Sequence, residues 1–328
     1  MREFIDGATA IARGALDAGC DFFAGYPISP ATPLLLHMIR ELPKCGGIAI
    51  QAEDEIGALS MCIGAAMTGR RVLTATSGPG ISLYSENIGL AIMGEAPLVI
   101  VDAQRMGPAT GGATTPAQGD VQFVRWGASG GFPVIALAPS NVAECYSLTR
   151  RAFDLAERFR CPVFLLTDKE IFQSMHTVEL DTYEQPPVRS RRLAPADEPF
   201  VPYRFEPLDA PPPFSPIGGE HITRFTGSSH DEQGFLTKDP AKVGRLNEHL
   251  RRKIEDHRDE IELVHTDLAP GAATLCIAYG ITARGQAAAA REARAAGRAV
   301  SALTLQTLWP VPEAAILAAV TEMQATLR

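Results

Sequence analysis

Residues 72–102 read VLTATSGPGISLYSENIGLAIMGEAPLVIVD. Val72–Ser77 and Leu98–Asp102 are apolar runs rich in β-branched residues. Between them, Ser82–Met93 repeats its apolar positions at helical spacing. The runs are continuous and not alternating, as in strands covered on both faces of a parallel sheet. The same pattern extends outward in both directions. Ile5–Leu16 has helical spacing, and Asp21–Tyr26 is a short apolar stretch. A helix opens at Pro30 and ends near the breaker Pro43–Gly47. Ile48–Gln51 reads as strand and Glu53–Met67 as helix. Val134–Ala138, Asn141–Arg158 and Val163–Thr167 read as strand, helix and strand. Alternation of this kind predicts a doubly wound α/β domain over residues 1–175 with a mainly parallel sheet. In such sheets ligands sit beyond the carboxyl ends of the strands, so the loops that follow strands are where chemistry is expected.

Residues 176–216 hold ten of the 25 prolines and read as an extended connector. Residues 239–263 are charged, with Val243, Leu246, Leu250, Ile254 and Ile261 in a narrow apolar stripe. That pattern predicts a long helix lying on another surface or against a partner helix. Connector and helix together occupy 176–265. A second α/β unit spans 266–328: strand TLCIAYG from Thr274, an Ala-rich helix over Thr282–Gly297, strand Val300–Leu305 and one more helix. Two strands make too small a sheet to stand alone, so this unit is expected to lean on the rest.

A net charge of −8 argues against nucleic acid or an anionic membrane as the main partner. No apolar run approaches the roughly 18 residues of a membrane span, and no secretory leader is evident, so a cytoplasmic protein is expected. The six cysteines form no CxxC pair, so no metal or iron–sulfur site is expected on this chain.

Four loops after strands carry candidate chemistry. In Gly25–Pro33, Ser29 and Thr32 offer hydroxyls at a helix start, as anion ligands or as simple caps. In Gln51–Glu55, three acids suit the helix dipole, and one of them can turn into the sheet edge. A buried glutamate there could hydrogen-bond an aminopyrimidine ring nitrogen. Thr76-Ser77-Gly78-Pro79-Gly80 can wrap a phosphate or a ring, though it is neither a Walker A nor a GxGxxG sequence. Asp102–Asp120 is a 19-residue Gly-, Thr- and Pro-rich loop, and loops of that length are usually functional. Its single cation, Arg105, could grip a carboxylate or pair with an acid such as Asp102.

The strings GYPISPATP, QAEDEIGAL, TATSGPGISLYSENIG, PLVIVDAQRMGPATGG and PAQGD resemble the alpha subunits of the 2-oxo acid:ferredoxin oxidoreductases. The 2-oxoglutarate (KorA-type) branch is most similar, with the branched-chain 2-oxo acid enzymes next. TGSSHDEQG (Thr226–Gly234) and LQTLWPVPE (Leu305–Glu313) continue the likeness. The resemblance implies a pyrimidine-binding fold of the thiamine diphosphate enzymes, followed by a transketolase C-terminal-like domain. It implies that Glu55 contacts the thiamine aminopyrimidine, with Ser77, Gly78 and Pro79 beside the cofactor. Ser29, which stands where the family usually has Thr, Thr32 and Arg105 are then the substrate-carboxylate side. Asn87 and Gln118 fall in shared motifs without an implied role.

The implied reaction is CoA-dependent oxidative decarboxylation of 2-oxoglutarate to succinyl-CoA and CO2 with reduction of ferredoxin, or its reverse. A GDG…NN diphosphate signature is absent, since Val121 follows Gly119-Asp120. The diphosphate site, Mg2+ and the iron–sulfur cluster are therefore expected on a beta subunit, in a dimer of heterodimers, with any gamma domain on a separate chain. Relatives continue past the last helix, so the C-terminal unit is expected to be shortened. Pyruvate or branched-chain 2-oxo acid oxidation, a non-oxidative thiamine-dependent decarboxylase and a non-catalytic assembly subunit are the alternatives.

Overall fold

The structure, a computed structural model, describes residues 2–183 and 185–326. The outer limits of the first and last expected domains, Met1 and Arg328, lie outside the described residues. The strands are β1 Glu3–Ile5, β2 Phe22–Gly25, β3 Ile48–Gln51, β4 Val72–Thr76, β5 Leu98–Gln104, β6 Ile135–Leu137, β7 Pro162–Asp168, β8 His176–Val178, β9 Val264–Asp267, β10 Leu275–Ala278, β11 Ser301–Leu305 and β12 Thr307–Trp309. The helices are α1 Gly7–Asp17, α2 Thr32–Glu41, α3 Glu55–Met67, α4 Pro79–Leu83, α5 Ser85–Met93, α6 Asp120–Trp126, α7 Val142–Phe159, α8 Lys169–Gln173, α9 Pro240–Glu255, α10 Arg258–Ile261, α11 Gly280–Ala295 and α12 Glu313–Thr326.

The main sheet has seven strands in the order β12-β6-β7-β5-β4-β2-β3. Its pairings are parallel except for β12 on β6. Every residue of β4, β5 and β7 is buried. Alternate residues feed two cores, as the period of two requires. Leu73, Val99, Val101, Val163 and Leu165 pack with α1, α2 and α7 on one face. Val72, Leu98, Ile100, Phe164 and Leu166 pack with α3 and α5 on the other. The fold is thus the expected doubly wound, mainly parallel α/β sheet with a smaller C-terminal unit. Side-chain caps set several helix starts: Asp6 accepts from Thr9 N, Asp54 from Gly57 N and Asn141 from Glu144 N.

Several local expectations change. Ser82–Met93 is not one helix. A first helix starts earlier, at Pro79, and breaks at the fully buried Tyr84, whose hydroxyl meets Thr74 Oγ1 at 2.9 Å. The Pro-rich segment is extended but not loose. Its β8 pairs with β1, Phe214 enters a core, and Arg191 bonds Glu157, Ala66 O and Arg70 O. The amphipathic helix α9 lies on this chain's own surface, burying Leu246, Leu250 and Ile254.

The C-terminal unit has three strands, in the order β10-β11-β9. Its β9 straddles the expected boundary at 266. It leans on the main domain through β12, which leaves the small sheet and pairs with β6. No described helix is long and apolar enough to cross a membrane.

Candidate functional site

Strands β3, β2, β4 and β5 run parallel and side by side, so their carboxyl ends bring four loops to one edge. The three acids after β3 separate by role. Glu53 is exposed, Asp54 caps α3, and Glu55 at the first position of α3 turns inward, 7% exposed. An added Cβ on Gly80 would lie 2.1 Å from Thr76 Oγ1 and 3.1 Å from Glu55 Oε1. The Glu55 carboxylate therefore sits directly against the turn after β4.

Arg105 is not a surface cation and does not pair with Asp102. It is 4% exposed, donating from Nη1 to Ser29 O at 2.6 Å and from Nη2 to Thr110 O at 3.0 Å. A Cβ on Gly78 would lie 3.1 Å from Arg105 Nε. The guanidinium thus joins the loops after β2, β4 and β5. Ser29 is exposed and Thr32 half-buried. Helix α2 has no side-chain cap, so neither hydroxyl serves that purpose.

Seven of the twelve fully buried, unpartnered side-chain polar atoms among the described residues belong to Thr76, Ser77, Asp102, Gln104 and Arg105. Buried polar groups are ordinarily satisfied, so this cluster at the ends of β4 and β5 marks a place where a ligand or a neighbouring group completes the bonding. The Thr76 hydroxyl and the Glu55 carboxylate, both against Gly80, could hold a flat polar heterocycle. The carboxyl of Asp102 is pushed well above its usual range by burial and then by the neighbouring Asp120. Burial also raises Asp120.

Two motif residues acquire structural roles. Asn87 Nδ2 bonds Ile56 O at 3.0 Å and Ser60 Oγ at 3.1 Å, bracing the start of α3 behind Glu55. Gln118 Nε2 bonds Asp168 Oδ1 at 2.7 Å, and Asp168 Oδ2 accepts from Ile281 N at 2.7 Å. Asp168 thereby pins the far end of the Arg105 loop to the start of α11. No sequence spacing pointed to Asp168, Asp102 or Asp120 as a group. Among the described residues no His, Cys, Asp and Glu cluster could hold a metal ion. The cysteines are free, and burial pushes the Cys62 and Cys161 thiols up to about 12.

The family described as "Pyruvate flavodoxin/ferredoxin oxidoreductase, thiamine diP-bdg" matches residues 13–248, and the chain belongs to it. It is similar to the 2-oxoglutarate synthase subunit KorA of Methanothermobacter thermautotrophicus, 42% identical over 319 residues, 96% of this chain and 84% of that one. The subunit of the same name from Methanocaldococcus jannaschii is 43% identical over 95% of this chain and 84% of its own length. A solved 2-oxoglutarate:ferredoxin oxidoreductase from Magnetococcus marinus, with 2-oxoglutarate, coenzyme A and succinyl-CoA bound, superposes with a TM-score of 0.88 at 30% identity. This chain is covered to 99% in that match and spans 56% of the solved chain. Within the family the chain falls in the 2-oxoglutarate branch, as the subunit of an oxidoreductase that works in a multi-subunit complex.

Proposed function

We propose that this chain supplies the pyrimidine side and the substrate-carboxylate side of a thiamine diphosphate site, completed by a beta subunit, for CoA-dependent oxidative decarboxylation of 2-oxoglutarate. The observation that carries this reading is the convergence of Glu55, Ser77, Gly78 and Arg105 at one sheet edge, amid buried polar atoms that lack partners. Thiamine diphosphate supplies the carbon nucleophile and the electron sink for loss of CO2. Glu55 accepts a proton-bearing ring nitrogen of the aminopyrimidine. Thr76, Ser77, Gly78 and Pro79 form the wall against which that ring rests. Arg105, fixed by Ser29 O and Thr110 O, presents positive charge to the substrate carboxylate, with the Ser29 and Thr32 hydroxyls beside it.

Mg2+, the diphosphate contacts and an iron–sulfur cluster belong on the partner chain in this reading, with ferredoxin as acceptor, a dimer of heterodimers as the assembly and the cytoplasm as its place. Co-expression with a beta chain should give 2-oxoglutarate- and CoA-dependent viologen reduction. Glu55→Gln should lower it by about 10²–10⁴, the usual contribution of a positioned proton-transfer group. A fully active Glu55→Gln complex refutes the assignment. A panel of 2-oxo acids on the same complex tests the substrate.

A further inference from the structure

Behind the proposed substrate side lies a pair of acids that the reading above does not use. Asp102 lies within β5, wholly buried, and neither carboxyl oxygen has a hydrogen-bond partner. The ionisable group against it is Asp120, the first residue of α6. Asp120 Oδ2 accepts the Gly78 amide at 3.3 Å, so this carboxylate reaches across to the turn after β4.

The other groups around the pair are few. The neighbouring β5 end contributes Arg105, the one cation acting on both acids. The turn after β4 contributes the Gly78 amide. The adjacent β7 contributes only the Thr167 hydroxyl, which bonds the Asp102 backbone carbonyl. From α3, Glu55 faces Gly80 and the Tyr84 side. Two carboxyls therefore share one guanidinium. Two carboxylates side by side, one wholly buried and the other half-buried, repel, and they attract only when one carries a proton.

We propose that Asp102 and Asp120 share a single proton and act as one positioning unit, in which neutral Asp102 donates to Asp120 while Asp120 holds the Gly78 amide in place. The arrangement keeps a second negative charge away from Arg105, leaving its cation for an incoming carboxylate. Burial pushing the Asp102 carboxyl up agrees with this protonation. The effect on Arg105 rests on the function proposed above, whereas the shared proton does not.

The shared proton is tested on the isolated chain. Asp102 binds its proton more tightly folded than unfolded, so native stability falls as pH rises from the unfolded carboxyl value toward the folded one. Asp102→Asn mimics the neutral acid and cannot titrate. The melting-temperature difference, Asp102→Asn minus native, should grow as pH rises above the unfolded carboxyl value of about 3.9. Above that unfolded value the native chain should also show an infrared carbonyl band of a protonated carboxylic acid that Asp102→Asn removes. A pH-independent difference, or no such band, overturns the pair.

The positioning role is tested on the complex with its beta chain. Asp120→Ala should raise KM for the 2-oxo acid about tenfold with a smaller change in kcat, and should speed amide exchange at Gly78. Asp120→Asn, whose amide oxygen can still accept from Gly78, should recover most of both. Unchanged KM and exchange in Asp120→Ala overturn the positioning role while the stability result stands. Full activity of Glu55→Gln would instead remove the catalytic reading and leave the pair intact.

Discussion

Gly280 joins the C-terminal unit to the loop that carries Arg105, and replacing it with alanine should uncouple the two. Gly280 opens α11 with φ +57°, a left-handed conformation that costs an L-residue roughly 1–2 kcal/mol. A Cβ there would stand 2.1 Å from Asp168 Oδ2 and 3.1 Å from Gln118 Nε2. The carboxylate must move, and it is held by Ile281 N and Gln118 Nε2, both at 2.7 Å. Each hydrogen bond to a charged group contributes about 1.5–3 kcal/mol, so losing one of them and straining φ gives about 2.5–5 kcal/mol. That energy is released locally, by tilting α11 and freeing Gln118, before the main sheet opens.

The assay is amide exchange with a thermal melt. Protection should drop at 105–119 and 281–295, while β4 and β5 exchange as in the native chain. Removing the carboxylate relieves the overlap, so Gly280→Ala/Asp168→Ala should destabilise by less than the sum of the two single changes. Native protection in Gly280→Ala, or strict additivity in the cycle, refutes the coupling.

Glu95 and Lys253 form a buried ion pair at 3.0 Å, with His249 Nε2 3.1 Å from the other Glu95 oxygen. Glu95→Gln should destabilise by about 3–5 kcal/mol, and Glu95→Gln/Lys253→Met should recover much of it, as read by chemical denaturation. Burial alone would raise Glu95, but Lys253, His249 and Arg160 hold it well below the usual carboxylate range. Its stabilising effect is thus complete above the unfolded value of about 4.3 and lost as pH falls below it, so Glu95→Gln should flatten the acid limb of a melt series. Arg105→Lys cannot satisfy Ser29 O and Thr110 O with a planar fork. The loss of one such bond, about 1.5–3 kcal/mol, predicts a KM rise of about 10–150-fold in steady-state kinetics of the complex. Asn87→Ala frees Ile56 O and Ser60 Oγ at the start of α3 and should lower kcat through Glu55, with a melting change of only a few degrees.

The sheet was legible because each of its central strands is buried on both faces, and that burial writes continuous apolar runs such as LVIV into the sequence. The residue pattern showed only that one of three acids at the start of α3 can turn inward, and the resemblance of QAEDEIGAL to the family named Glu55. The structure separates them, with Asp54 as the cap and Glu55 buried. The break at Tyr84 was hidden because residues 79–93 carry helical spacing on both sides of it. The burial of Tyr84 depends on Thr74, ten residues earlier on a different element. Strand β12 was hidden because Thr307–Trp309 is too short for a period, and its partner β6 lies some 170 residues back.

The supporting acids show the general limit. Asp168 meets Ile281 across 113 residues and Gln118 across 50, while Asp120 meets Gly78 across 42. None of these pairs has a local signature, because nothing in the spacing of two residues on separate elements records their separation in space. The register of the parallel sheet supplies that information. Gln104 lies opposite Asp168, and Thr76 opposite Asp102, so each strand end sets an acid beside the loop that follows its neighbour. The side chains expected to face a ligand were named from loop composition together with the motif resemblance. Those that hold them could be read only after strand order was known, which is why Arg105 was an expected residue and the acids governing its charge and its loop were not.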